Sequence, residues 1–177
     1  MVNQFREQYI QLLHPFFLQT ANYFFPTAQI ELRFNPGWDT AQSLEQAISA
    51  DFEKDMRYGY TQSGPHRADF LTYHEKRSVK DYLSGGEQKL LMLALMLSQV
   101  SLLKNVSHTN CCILIDDMAA ELDTVNRSKL LKYLAETNSQ VFITSTELDG
   151  FDNLDELNNY KVFHVEQGCV QQLKSFT

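Results

Sequence analysis

LSGGEQKLLMLALMLSQVSLLKNVSHTNCCILIDD, residues 83–117, is the stretch on which the fold turns. Ser84 followed three residues later by Glu87 is a capping box, so a helix begins there. The run from Leu90 to Leu103 is apolar on nearly every side, which predicts a core helix over about Ser84 to Leu103. Five apolar residues then lead straight into two acids, and CCILI (111–115) reads as a buried strand ending in Asp116 and Asp117. Downstream, a second helix spans about Asp123 to Glu136 and QVFIT (140–144) is a second apolar strand. Continuous apolar strands separated by helices predict an α/β fold whose sheet is covered on both faces. YKVFHV and CVQQL then form a hairpin around Glu166-Gln167-Gly168.

Upstream of residue 83 the pattern changes. Phe5, Tyr9, Leu12, Leu13, Phe16 and Phe17 recur at helical spacing, and Pro15 is expected to kink or break that helix. AQIELRF (28–34) alternates, placing Ile30, Leu32 and Phe34 on one face of a strand, and NPGW (35–38) is a turn. Leu44, Ala47, Ile48, Phe52 and Met56 trace a helical stripe. From Tyr58 to Leu83, short extended runs separated by GPHR (64–67) and EKRS (75–78) predict a hairpin-rich segment.

Composition bounds the function. The chain has 177 residues, 44% of them hydrophobic, and 15 Lys+Arg against 22 Asp+Glu give a net charge of −7. That is the profile of a packed globular protein, and with seven Gly and four Pro it excludes collagen-like and linker-dominated architectures. The acidic balance argues against a grip on nucleic acid by charge alone. Charge is unevenly spread, however: seven basic residues lie between Lys54 and Lys89, and five acids with no base between Glu147 and Glu156. A solvated surface accounts for both. No stretch reaches the roughly 18 apolar residues of a membrane span, and the N-terminus lacks the pattern of a secretory signal. The cysteines, Cys111, Cys112 and Cys169, make a poor disulfide framework and point to a reducing cytoplasm.

Chemistry concentrates at a few points. Gly85 and Gly86 lie in the first turn of the predicted helix, where glycine costs stability. Incidental glycines in a capped core helix are one reading; a helix N-terminus whose bare amides approach an anion is the other. The paired acids favour the second. A strand delivers Asp116 and Asp117 to the carboxyl edge of a sheet, where one carboxylate holds Mg²⁺ and its neighbour orients a water. Ala119-Ala120-Glu121-Leu122-Asp123 leads into the next helix, with Asp123 also a good N-cap. Thr144-Ser145-Thr146 places hydroxyls at the next strand end, where they can sense a phosphate. His66 and Arg67 are candidates for DNA or phosphate contact, with a turn and an ion pair as the plain alternative. Trp38 reads as a packing residue. His108, Cys111 and Cys112 lack the spacing of a metal site, since adjacent strand residues point to opposite faces.

In this order the motifs resemble the ATP-binding cassette family: signature, Walker B, D-loop and switch strand. Within it the chain is most similar to the RecF branch of SMC-like ATPases. The resemblance is carried by Gly64-Pro65-His66-Arg67-Ala68-Asp69, Leu83 to Met92, Ile115-Asp116-Asp117 and Glu121-Leu122-Asp123. FREQYIQLLHPFF and Arg33-Phe34-Asn35-Pro36-Gly37-Trp38 resemble the segments upstream of these motifs. The resemblance covers nearly the whole chain, but only the C-terminal half or so of a RecF protein. It implies a helical arm (lobe II-like) segment with a short strand pair over residues 1–60, and the C-terminal half of a P-loop cassette ATPase over 61–177.

The resemblance further implies that Ser84, Gly85, Gly86 and Glu87 contact ATP bound to the opposite protomer. Asp116 coordinates Mg²⁺, Asp117 polarises the lytic water, and Glu121 and Asp123 lie in the loop crossing the dimer interface; Thr144 and Ser145 form the switch strand. RecF signatures often carry Arg and Gln where this chain has Gly86 and Glu87, and many cassette ATPases have a His at Ser145. Nothing matches G-x-x-x-x-G-K-[ST], so the chain is not expected to hold ATP and Mg²⁺ by itself. The intact protein implied is a weak, DNA-dependent cytoplasmic ATPase of recombinational repair, replication restart and the SOS response. It closes as an ATP-dependent homodimer on single-stranded or junction DNA and works with RecO and RecR, without a membrane. Two alternatives stand beside it. A transporter's nucleotide-binding subunit shares the signature and Walker B but needs neither GPHR nor the arm-like segment. A catalytically dead scaffold module is supported by the missing phosphate loop.

Overall fold

Helix α1 (Val2–Phe24) runs unbroken through Pro15. The expected break does not form: the helix carries Pro15 on its exposed side, at the cost of one lost i→i−4 bond and the crowding of the ring against the preceding turn. The buried stripe of α1 is Leu13, Phe17, Thr20, Ala21 and Phe24, and Thr20 returns its hydroxyl to the Phe16 carbonyl at 3.0 Å. Phe5, Tyr9 and Leu12 remain exposed. The computed structural model describes residues 2–118, 122–146, 151, 154 and 159–176, and these divide into two compact units, 1–107 and 108–177.

In the first unit α1 packs along α4 (Gly85–Val106). Leu90, Leu91, Ala94, Leu95, Leu97 and Leu102 form the buried side of α4, with Ser98 satisfied by the Ala94 carbonyl at 2.6 Å. The expectation that all of Leu90–Leu103 is core is corrected: Met92, Met96 and Leu103 are exposed. An all-round apolar helix needs cover on every side, and α1 supplies one. By length and composition α4 is apolar enough to cross a membrane, contrary to the sequence expectation. Its packing on α1 marks it as a core helix.

Strand β1 (Ile30–Asn35) buries Ile30 and Leu32 as its alternation predicts. It pairs antiparallel with β2 (Asp69–His74), Ile30 opposite His74 and Asn35 opposite Asp69; β2 turns through Glu75 and Lys76 into the short β3 (Arg77–Ser78). The strand partner of β1 therefore lies beyond residue 60. Between β1 and β2, α2 (Leu44–Tyr58) opens on a Ser43/Gln46 capping box and ends at Gly59 in the left-handed region. Of its apolar stripe Ala47 is buried, while Ile48, Phe52 and Met56 are exposed. A one-turn α3 (Val79–Tyr82) leads into α4.

The second unit contains β4 (Cys112–Ile115), α5 (Thr124–Glu136) and β5 (Gln140–Ile143), with β4 and β5 paired in parallel. Strand–helix–strand order with parallel pairing is the βαβ unit read from the sequence. Cover on both faces is not found. Ile113 and Ile115 are buried, but Leu114 is 73% and Phe142 52% exposed. A parallel sheet is stable when both faces are covered, and among the described residues only one is. Strands β6 (Tyr160–Glu166) and β7 (Cys169–Phe176) form the expected hairpin. Gln167 (φ 46°) and Gly168 (φ 77°) make its two-residue turn, both in the left-handed region that such a turn requires.

Candidate functional site

Two groups of predicted residues are built by different units, and each is described within its own. The first is the N-terminus of α4. Ser84 is the N-cap, at φ −61° and ψ 162°, and the capping box is complete. Its Oγ accepts from the Glu87 amide at 3.4 Å, while Glu87 Oε2 accepts from the Ser84 amide at 2.9 Å and from the Ser84 hydroxyl at 2.7 Å. Gln88 ties the entry down by donating to the carbonyls of Leu83 and Lys80, at 2.9 and 3.2 Å. Of the first-turn amides, which lack intrahelical acceptors, the box uses that of Glu87. Those of Gly85 and Gly86 are left facing outward. Both glycines are exposed, and a Cβ built on either meets nothing within 4 Å. Among the described residues nothing requires glycine at either position, and the turn is open to whatever approaches it.

The second group sits at the end of β4. Asp116 is exposed and Asp117 half-buried. Thr144, the residue after β5, links them. Its hydroxyl donates to Asp116 Oδ1 and accepts from the Asp117 amide at 2.9 Å. Backbone bonds from Thr144 N to the Ile115 carbonyl (2.9 Å) and from Met118 N to the Thr144 carbonyl (3.2 Å) extend the ladder past the strand ends. Asp117 has φ 45°, in the left-handed region where a non-glycine residue is strained. Its Oδ1 is shielded from solvent and has no hydrogen-bond partner among the described residues, a costly state for a carboxylate. An orphaned oxygen beside a second, exposed carboxylate suits a hard cation, since Mg²⁺ is commonly held by one or two carboxylates with the rest of its shell from water and phosphate. No group of three or more His, Cys, Asp or Glu gathers among the described residues, so this chain would supply only that part of a shell.

Other predicted residues fall out as follows. Asp123 caps α5, its carboxylate accepting from the Asn126 amide at 2.8 Å and from Asn126 Nδ2 at 2.9 Å. Glu121 lies outside the described residues, as does most of the acidic run 147–156. Thr144, read as a phosphate sensor, spends its hydroxyl on the carboxylate pair, a role the sequence did not signal because 27 residues separate it from Asp117. Ser145 is half-buried. His66 and Arg67 lie in a 3-10 turn (Pro65–Arg67), exposed, and His66 Nε2 is 3.0 Å from the Thr61 carbonyl. Arg67 lies over the Tyr60 ring at 5.9 Å and makes no ion pair among the described residues.

Residues 4–171 match the model of the RecF/RecN/SMC N-terminal domain family. The chain is 37% identical over 172 residues to the DNA replication and repair protein RecF of Mannheimia succiniciproducens, and 38% identical over 175 residues to that of Pasteurella multocida. In each case the match covers 97% of this chain and 48% of the relative. The chain thus spans about half the length of the curated relatives it matches. Among solved structures, the recombination mediator protein RecF–ATPrS in the RecFOR pathway superposes with a TM-score of 0.68 at 22% identity, covering 96% of this chain and 46% of that one. A chain from a study of ATP-driven dimerization and DNA-stimulated activation of SMC ATPases gives a TM-score of 0.59 at 14% identity. It is covered over 89% of its length by 99% of this chain, so the two folds have nearly the same extent.

Proposed function

The chain belongs to the RecF/RecN/SMC N-terminal domain family, and from that premise we propose that it is the C-terminal portion of a RecF-like, DNA-binding ATPase of recombinational repair and replication restart. In this reading residues 1–60 serve as arm and 61–177 as the C-terminal half of the P-loop ATPase domain. The observation that carries it is the first turn of α4, where two exposed glycines leave their amides open and no neighbour explains them.

The residues then divide the work. Gly85 and Gly86 offer backbone amides, reinforced by the helix dipole, to the terminal phosphate of ATP held by the opposite protomer. Ser84 turns its hydroxyl from Glu87 to that phosphate, while Glu87 keeps the Ser84 amide and so fixes the turn. Asp116 would hold the metal, and Asp117 would orient the attacking water and accept its proton. Mg²⁺, when bound, neutralises charge developing on the phosphates. Thr144 couples the two acids by bonding both residues at once. Glu121 and Asp123 belong to the loop that meets the partner protomer, and Ser145 follows the nucleotide state at the switch strand. His66 and Arg67 take phosphate or DNA.

The sequence contains no phosphate-cradling lysine loop, so ATP and Mg²⁺ enter a site completed by a segment other than these residues. The intact ATPase closes as a homodimer on DNA in the cytoplasm and hands over to RecO- and RecR-type partners. The exposed face carrying Leu114 and Phe142 is the side that a further helical layer of the intact domain would cover. The missing loop also favours a second reading, a nucleotide-independent scaffold of the same fold.

Ser84→Arg in the intact protein separates the two. It abolishes ATP-dependent dimerisation, read by sedimentation velocity, while ATP binding measured by equilibrium dialysis stays near normal. Unchanged dimerisation would sink the trans-signature assignment.

A further inference from the structure

A cleft of about 580 Å³ opens in the first unit, lined by the turn after β1 and by residues 62–69. Its volume falls in the roughly 300–1,000 Å³ range of small-molecule sites. The two segments lining it are fastened backbone to backbone. Gly37, at φ 90°, accepts from the Gly64 amide at 3.0 Å, and a Cβ on Gly37 would stand 2.3 Å from the Gly64 carbonyl oxygen. Only glycine permits that crossing, and it fixes the next residue, Trp38, beside the 62–69 segment. From sequence Trp38 is a packing residue; in the fold it is half-buried and lines the cleft.

Of the other lining groups, His66 and Asn35 are bonded within the chain, His66 Nε2 at 3.0 Å from the Thr61 carbonyl and Asn35 Oδ1 accepting from the Gly37 amide at 3.0 Å. Arg67 has an aromatic neighbour but no counter-ion among the described residues. Gln62 holds its Nε2 shielded from solvent without an acceptor among the described residues. Asp69 spends Oδ1 on the Phe70 amide at 2.8 Å. Helix α2 anchors this segment: Asp55 Oδ1 accepts from the Gln62 amide at 2.8 Å and Asp51 Oδ2 from the Ser63 hydroxyl at 2.6 Å. The Ser63 hydroxyl, and after it Lys54, hold the Asp51 carboxyl below the usual carboxylate range, so the anchor is ionised at neutral pH.

An aromatic face, an unneutralised guanidinium and an unused amide donor in one cleft make a set that suits an unstacked nucleotide. We infer that this cleft binds one unpaired nucleotide of a single DNA strand, with the base on Trp38 and the phosphate on Arg67. A fully paired duplex keeps its bases stacked and offers nothing to Trp38. The inference rests on the DNA-binding reading above and adds the cleft, its one-nucleotide occupant and the base platform Trp38.

Trp38 is the only tryptophan in the chain, so its emission reports on the cleft. The full chain is titrated with a thymidine oligonucleotide of about 15 nucleotides. Anisotropy of a labelled strand reads binding anywhere, and Trp38 quenching by the unlabelled strand reads the cleft. Both signals are expected to saturate together, and a blunt duplex of the same sequence length to leave the emission unchanged. Arg67→Gln weakens both signals about tenfold. Trp38→Ala weakens the anisotropy signal roughly five- to hundredfold, and Trp38→Phe restores most of it. Strand binding with unquenched Trp38, or insensitivity to Arg67→Gln, overturns the cleft and leaves DNA binding standing. Absence of any anisotropy change overturns both.

Discussion

Thr144 shows most clearly what single residues contribute. Its hydroxyl donates to Asp116 and accepts from the Asp117 amide, holding a strained residue beside an exposed acid. Thr144→Val keeps the shape and removes both bonds. It is expected to destabilise the chain by about 1 kcal/mol in urea unfolding, with ATP hydrolysis by the intact protein falling further than stability explains. Wild-type hydrolysis in the variant would show that the link does not position the acids. Gly86 gives the converse case. Because no atom lies within 4 Å of an added Cβ, Gly86→Ala should raise the chain's own stability, by up to about 1 kcal/mol, while weakening ATP-dependent dimerisation. A stability loss instead would mean that the glycine serves the fold. The acids and the glycines were legible in the sequence, since each sits at a boundary marked by a pattern: the end of an apolar run, the start of a capped helix. Thr144 was found at its strand end, but not its role, because a hydrogen bond across parallel strands leaves no local trace. The place of Trp38 beside a cleft was not legible for a similar reason: a turn tryptophan looks the same in sequence whether it faces the core or a cleft.

Among the elements, helices and hairpins followed their local signals closely. The Ser84 capping box, the alternation of Ile30 and Leu32 and the Gln167-Gly168 turn each fixed an element where expected. What local pattern did not convey is cover. An apolar residue predicts burial only if something packs on it, and the exposed faces of α2, α4 and the β4–β5 sheet lack that neighbour among the described residues. Pro15 is the other departure. Helix α1 absorbs it at an exposed position, and an interior proline costs roughly 3 kcal/mol relative to alanine. Pro15→Ala is therefore expected to raise the thermal midpoint of the chain by several degrees. An unchanged midpoint would show that flanking contacts already offset the missing hydrogen bond.

For the whole molecule, the signature turn and the paired carboxylates are read as halves of two different sites in a two-fold dimer. Such symmetry has a strict consequence: a defect in one half damages only the site to which that half contributes. The measurement that bears most directly on this is mixing two inactive forms of the intact protein, Ser84→Arg and Asp117→Asn, and following ATP hydrolysis. In a mixed dimer, the intact Asp117 of one protomer meets the intact Ser84 turn of the other. Each mixed dimer then carries one whole site of its two, so the mixture hydrolyses ATP at up to about half the wild-type rate per mixed dimer, against none for either form alone. A mixture that stays as inactive as its components, although the protomers exchange, would contradict the account, because it would place signature and carboxylates in the same protomer's site.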